Sequence, residues 1–113
     1  MEINFQQLRA VMRSFVADVT QKSAAAQITE ASLRLSGHKS LLVAIVREDG
    51  TVDEAAWHNN RQQLFRWLDS DSTRSKKRIA ELYPAILAAL PPMLRAQLVA
   101  SKSISYLAAQ AQK

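Results

Sequence analysis

Cysteine is absent from this sequence of 113 residues, and glycine and histidine are rare. Without cysteine there is no disulfide framework, no thiolate nucleophile and no cysteine-ligated zinc site, which fits a reducing compartment. Gly37 and Gly50 alone cannot form a glycine-rich phosphate loop, and no Gly-x-Ser-x-Gly elbow is present. His38 and His58 lie outside any metal-ligand spacing and are expected at the surface. We therefore predict no enzymatic activity, no catalytic residue, no metal and no cofactor.

Long apolar runs are also missing. The N-terminus, MEINFQQLRA, lacks a basic start followed by an apolar core, and no segment is long enough to cross a membrane. We therefore expect a cytoplasmic protein with no membrane partner and no small-molecule substrate. The 48% share of hydrophobic residues and the 22% share of charged residues are ordinary for a folded protein. Residues 1–113 are expected to form a single helical domain.

Hydrophobic residues recur at three- and four-residue steps, which predicts an all-α fold of five or six helices. The first helix should span residues 5–20 with Asn4 as its N-cap, and its Phe and Met stripe should lie in the core. The second should run from Ala24 to Leu35, with Ser23 as its N-cap and a left-handed cap at Ser36-Gly37. Its predicted inward residues are Ile28, Ala31 and Leu35.

Two further helices are predicted near the C-terminus. A helical stripe begins near Thr73, with Ser72 or Thr73 as its cap, and Pro84 should bend or divide it. Pro91-Pro92 then breaks the chain, and Pro92 can open a last helix over residues 92–113. The apolar residues of that helix are Met93, Leu94, Leu98, Ile104 and Leu107. We consider this helix a candidate contact for oligomerisation, with packing onto the core as the alternative.

Residues 38–58 are the hardest to interpret. The apolar run from Leu41 to Val46 is compatible with a short buried strand or a helical turn. After the Asp49-Gly50 turn signal, Thr51 and Glu54 have the spacing of a capping box, which predicts a helix start. Whether that helix is continuous with the segment that follows is left open by the sequence.

The segment NNRQQLFRWLD, residues 59–69, combines amide, guanidinium and bulky apolar side chains. A helix with Leu64, Trp67 and Leu68 inward leaves a polar stripe on its opposite side. The members of that stripe are Asn59, Gln62, Gln63 and Arg66. Asn and Gln side chains match adenine, and Arg matches guanine, in a major groove wide enough for a helix. The segment therefore predicts a recognition helix with four base-contacting residues, and the alternative is a solvated helix face over an ordinary buried Trp.

Positive charge is concentrated beside this segment. The net charge is +5, and residues 61–78 contain six basic residues against two acidic ones. Cations in the first turns of a helix are disfavoured by its dipole, by roughly 0.3 to 1 kcal/mol each, so their presence at residues 74–78 calls for another reason. Binding of DNA phosphates at the start of this helix would explain why cations lie there. The predicted phosphate contacts are Arg61, Arg74, Lys76, Lys77 and Arg78, and the alternative is a solvated charge run.

Two stretches, NNRQQLFRWLDSD and IAELYPAILAALPPMLRAQL, resemble the YdaT family of prophage-encoded proteins. That family carries a similar Asn-x-Gln-x-aliphatic-Phe-Arg-Trp segment and a similar Leu-x-Pro-Ala-Ile segment followed by Ala-x-Pro-Pro. The resemblance covers about residues 24–107. The Gln63, Arg66 and Trp67 register is also similar to the recognition helix of lambda CII-type phage regulators.

The resemblance implies a POU-like or lambda-repressor-like DNA-binding fold with a helix-turn-helix, homo-oligomers, and a transcriptional role in the phage decision. An older label of the family is toxin. By position, Asn60, Gln62, Phe65, Arg66 and Trp67 match the family segment, which implies Phe65 and Trp67 in the core and Gln62 and Arg66 at DNA. Our hypothesis is a prophage-encoded, sequence-specific regulator that binds double-stranded DNA as a dimer or tetramer. The alternative is a growth-inhibiting toxin or effector that binds a host protein.

Overall fold

The computed structural model describes residues 3–99, and these form an all-α fold. Helix α1 spans Phe5–Ser36, α2 spans Glu54–Asp69, and α3 spans Thr73–Ala89. A short 3-10 helix, Gly37–Lys39, follows α1, and residues 92–99 are helical again. In the described part of the chain, β-structure is limited to one isolated antiparallel bridge between Val46 and Val52. The predicted all-α class is confirmed.

Helix α1 consists of two arms, residues 5–19 and 21–36, which meet at Thr20. Thr20 has non-helical backbone angles, φ 78° and ψ 158°, in a region that a β-branched residue rarely adopts. The predicted cap of the first arm is confirmed, because Asn4 Oδ1 accepts the Gln7 N–H at 3.0 Å. The predicted cap of the second arm is wrong. Thr20 Oγ1, not Ser23, caps this arm by accepting the Ser23 N–H at 3.2 Å.

The core lies where both arms of α1 meet α2 and α3. Its largest fully buried apolar side chains are Leu8, Val11, Phe15, Ile28, Leu42, Leu64, Ile79, Leu82, Ile86 and Leu90. Leu35, predicted to point inward, is more than half exposed, since the buried residues of α1 end at Ser32 and the last turn of the helix lies outside the core. Gly37 ends α1 with the expected positive φ, although its ψ of −129° is not that of a left-handed helical residue.

The connection between α1 and α2 is irregular. Leu42 and Ile45 turn into the protein, and the Val46–Val52 bridge closes a turn in which the Gly50 N–H donates to the Arg47 carbonyl at 2.9 Å. The apolar run 41–46 is therefore neither a helical turn nor a regular strand, and the backbone groups of Leu42 and Val43 bond to the side chains of Ser40 and Asn60.

Helix α2 is continuous from Glu54 through residues 59–69. Asp53 is its N-cap and accepts the Ala56 N–H at 3.1 Å, so the capping box predicted from Thr51 and Glu54 is wrong. Thr51 is engaged elsewhere, since its N–H and its hydroxyl donate to Asp49 Oδ1 at 2.9 and 2.6 Å.

Helix α3 starts at Thr73 with Ser72 as its cap, and it continues through Pro84 to Ala89 without dividing. Pro92 lies at the start of the helical residues 92–99, as predicted. Leu94 and Leu98 are buried in the common core, so for these two residues the alternative of packing onto the core holds. Ile104 and Leu107 lie outside the described residues.

We predict that Thr20→Gly raises the stability of the protein by about 1 kcal/mol. Glycine removes the backbone strain at positive φ, which costs about 1–3 kcal/mol. Two smaller losses oppose this gain: glycine has a larger conformational entropy in the unfolded chain, and removing the Thr20 cap costs a few tenths of a kcal/mol. Thr20→Ala keeps the strain, loses the cap and should be less stable than the native chain. Thermal melting of both variants checks this. A lower melting temperature for Thr20→Gly than for Thr20→Ala would contradict backbone strain at Thr20.

Candidate nucleic-acid interface

Helix α2 has one buried face and one exposed polar face. Asn60, Leu64 and Leu68 are buried, one turn apart from each other. Four polar side chains lie together on the opposite, exposed stripe, as predicted: Asn59, Gln62, Gln63 and Arg66. We refer to these four residues as the polar stripe. Trp67 and Phe65 are partly buried and pack against the core.

Asn60 holds the α1–α2 connection against α2. Its Oδ1 accepts the Val43 N–H at 3.2 Å, and its Nδ2 donates to the Val43 carbonyl at 2.7 Å. The same Nδ2 donates to Thr29 Oγ1 in α1 at 3.2 Å. Asn60 is only 2% exposed, so water cannot replace a hydrogen-bond partner that its side chain loses. One side chain thus joins α1, the connection and α2 beside the polar stripe.

Hydroxyl groups of α1 continue this network. The Thr29 hydroxyl donates to the Ala25 carbonyl at 2.7 Å, which leaves its oxygen free to accept from Asn60. Ser32 Oγ lies 2.7 Å from Ser40 Oγ, and Ser40 Oγ accepts the Leu42 N–H at 3.1 Å. Every buried side-chain nitrogen and oxygen in the described part of the chain has a hydrogen-bond partner. The connection is therefore fixed on both sides of Leu42.

Arg9 fixes the other end of α2. Its Nε donates to the Leu68 carbonyl at 2.6 Å, and its Nη2 donates to the Ser70 carbonyl at 3.0 Å and to Asp71 Oδ1 at 2.9 Å. These bonds satisfy carbonyls at the C-terminus of α2, where a cation also suits the helix dipole. The hydrogen bond and the charge of Arg9 lower the pKa of Asp71. The turn from α2 to α3 is thereby tied to the first arm of α1.

Trp57 fixes the first turn of α2. Its indole Nε1–H donates to the Lys22 carbonyl at 2.8 Å, and Lys22 Nζ lies 4.5 Å from the centroid of the Trp57 ring. Lys22 Nζ also lies 3.5 Å from Glu54 Oε2. With Asn60 and Arg9, this contact gives α2 three attachments to α1 along its length.

The predicted phosphate-binding residues differ in exposure. Arg74 and Lys77 are exposed in the first turns of α3, whereas Arg61, Lys76 and Arg78 are partly buried. Lys76 Nζ lies 5.6 Å from the centroid of the Phe5 ring, and Arg61 Nη2 lies 3.2 Å from His58 Nδ1. Because α3 begins directly after the short turn that follows α2, the cations at its start lie close in the chain to the C-terminal end of the polar stripe.

The chemistry of this surface is that of hydrogen bonding and charge. In residues 3–99 no group of three or more His, Cys, Asp or Glu residues could hold a metal ion. Over the same residues, no helix is long and apolar enough to cross a membrane. The polar stripe offers paired donors and acceptors, and the start of α3 offers cations and free backbone N–H groups.

Comparison with known proteins places the chain in a family. The family model described as "Bacterial toxin ydaT" matches residues 7–113, which is nearly the whole chain. The chain belongs to the YdaT family. A curated family member from Escherichia coli (strain K12), named "Transcriptional regulator YdaT", is 32% identical over 98 residues, covering 87% of this chain and 64% of the relative. The chain therefore spans a little under two thirds of the length of that relative.

The positions shared with the YdaT family segment divide between core and surface. Phe65 and Trp67 pack partly against the core, in agreement with the core role that the resemblance implied, and Gln62 and Arg66 are exposed. The buried hydrogen-bonding role of Asn60 was missed by the sequence reasoning. The available signal was its position four residues before Leu64 and eight before Leu68, on the apolar side of the helix.

We predict that Asn60→Ala lowers the stability by about 2 to 4 kcal/mol. The truncation leaves the N–H and carbonyl of Val43 without their partner, at roughly 1 to 3 kcal/mol for each group that water cannot reach, and it removes the donor to the Thr29 hydroxyl oxygen. Asn59→Ala, at an exposed neighbouring position, is the matched control and should stay within about 0.5 kcal/mol of the native chain. Urea unfolding measures both. Equal stabilities for the two variants would contradict the structural role of Asn60.

Proposed function

We propose that this chain is a sequence-specific transcriptional regulator that binds double-stranded DNA, with α2 as its recognition helix. The observation that carries the proposal is the polar stripe, because its four exposed side chains carry the groups that read base edges in the major groove. The rigid attachment of α2 to α1 supports it, since a reading helix needs a fixed orientation. The Escherichia coli relative is named a transcriptional regulator, which agrees with this proposal.

The proposed arrangement is a POU-like or lambda-repressor-like helix-turn-helix. The second arm of α1 is the supporting helix, and α2 enters the major groove. The connection over residues 37–53 is much longer than the three- to four-residue turn of the common motif, so the supporting and reading helices are held together by Asn60 rather than by a tight turn. Arg61, Arg74, Lys76, Lys77 and Arg78 are the proposed phosphate contacts. A prophage origin and a nucleoid-associated, cytoplasmic location belong to the same proposal.

Selection of bound sequences from random duplex DNA tests the function. The proposal expects one enriched motif, with an affinity that falls steeply with salt because bound phosphates release counterions. The alternative, which the toxin description of the family favours, is growth inhibition through a host protein. In that case no sequence is enriched, and binding to the host partner responds less to salt.

We predict that Gln63→Ala or Arg66→Ala weakens binding to the selected site more than binding to random DNA. Each variant removes a base contact worth roughly 1 to 3 kcal/mol of discrimination, which is about five- to 150-fold. Gln6→Ala is a matched control, since Gln6 is exposed on the first arm of α1, outside the proposed DNA and oligomer contacts. Gel-shift titrations on both DNAs measure the ratio. Equal losses on the selected and random duplexes would count against base reading by α2.

A separate prediction concerns the start of α3. Replacing Lys76 and Lys77 together with Gln should weaken binding to selected and random DNA alike, and should reduce the slope of log affinity against log salt by up to about 2. Stability should hold or rise slightly, because two cations leave the positive end of a helix dipole. Titrations at several salt concentrations give the slope. An unchanged slope removes these lysines from the interface.

We further propose that the chain acts as a dimer or tetramer. One recognition helix reads few base pairs, and two helices about 34 Å apart on a symmetric site supply the missing specificity. Because the side chains of Leu94 and Leu98 are buried in the core, the proposed contact between protomers lies in the rest of residues 92–113. Sedimentation of the full chain and of a chain ending at Ala100 should show assembly and tight DNA binding only for the full chain. A full chain that is monomeric both free and on DNA contradicts this.

A further inference from the structure

An aliphatic side chain with a fixed backbone lies next to α2. Both polar groups of the Val43 peptide that face Asn60 are bonded to it, the N–H at 3.2 Å and the carbonyl at 2.7 Å. Asn60 is itself buried and held by Thr29, so this attachment is anchored in the core. Val43 is nevertheless 57% exposed. The structure therefore holds a large apolar residue in place and leaves its side chain open to solvent.

The attachment brings Val43 beside the polar stripe. Gln63 lies one turn after Asn60 on the same side of the helix, so it borders the position that carries the Val43 peptide. Gln63 is exposed. Val46 provides a contrast within the same connection, because it is 59% exposed but is paired with Val52 in the bridge instead of being bound to α2. Position and anchoring, rather than exposure alone, distinguish Val43.

We propose that Val43 contacts the C5-methyl group of a thymine adjacent to the base read by Gln63. The thymine methyl is the apolar group that the major groove presents, and apolar side chains recognise it by contact. This inference rests on the proposed function and adds a residue that determines sequence preference by burying apolar surface. It assigns a reading role to the connection between the supporting and reading helices.

Replacement of thymine by deoxyuridine isolates this contact, because deoxyuridine pairs in the same way and lacks only the methyl group. In the duplex selected from random DNA, each thymine is replaced in turn, and the affinity of the full chain is measured. At one or two positions the native chain should lose roughly threefold to tenfold, the scale of one buried methyl group. Val43→Ser should show no loss there, and Val43→Thr, which keeps one methyl group, should show an intermediate loss.

Val46→Ser is the matched control and should retain the full deoxyuridine effect, because Val46 is similarly exposed but is paired with Val52 and is not bonded to Asn60. Thermal melting verifies that each variant is folded. Val43→Thr preserves the shape of valine and keeps the test decisive if Val43→Ser unfolds.

Three outcomes overturn the role of Val43 while leaving DNA recognition intact. They are a selected site without a preferred thymine, no deoxyuridine effect at any thymine, and an effect that persists in full in both Val43 variants. Failure of the native chain to select any sequence overturns the proposed function, and the role of Val43 with it.

Discussion

The buried amide of Asn60 is the interaction on which the arrangement of this surface depends. It bonds to both polar groups of the Val43 peptide and to the Thr29 hydroxyl, so α2, the long connection and α1 converge on one side chain. A satisfied buried network fixes one geometry, because every alternative leaves a polar group unpaired away from water. Since Asn59 and Gln63 flank Asn60 on the helix, fixing Asn60 also fixes the direction in which these exposed neighbours point.

Arg9 and Trp57 extend the same principle to the two ends of α2. The first arm of α1 supplies Arg9 to the C-terminal carbonyls, and the second arm supplies the Lys22 carbonyl to the indole of Trp57. The change of direction at Thr20 separates these two arms, so both ends of α2 are attached to one helix that is broken in the middle. The result is a rigid base for an exposed polar face, which is the physical requirement for reading a sequence rather than merely binding charge.

Local chemistry explains what could be predicted from the sequence. Apolar periodicity predicted both arms of α1, α2 and α3 because the buried stripes repeat at the helical period. The cap Asn4, and the choice of Ser72 or Thr73 as a cap, were predicted from their own neighbours. Ser23 and Thr51 satisfied the same local rules, but Thr20 and Asp53 occupy the capping positions instead. The contacts that orient the surface join residues 17 to 62 positions apart. No spacing rule connects such residues, so the position of Asn60 on the apolar side of α2 could indicate its burial but not its partners Val43 and Thr29.

We propose that neighbouring amides of α2 are divided between a buried structural role and an exposed role at DNA. Nuclear magnetic resonance of the side-chain NH2 groups during titration with a selected duplex tests this division. We expect the NH2 signals of Asn59, Gln62 and Gln63 to shift on binding, while the Asn60 signal stays nearly constant and exchanges slowly with solvent in both states. Shifts that spare these three side chains, or an Asn60 amide that moves as much as they do, would contradict it.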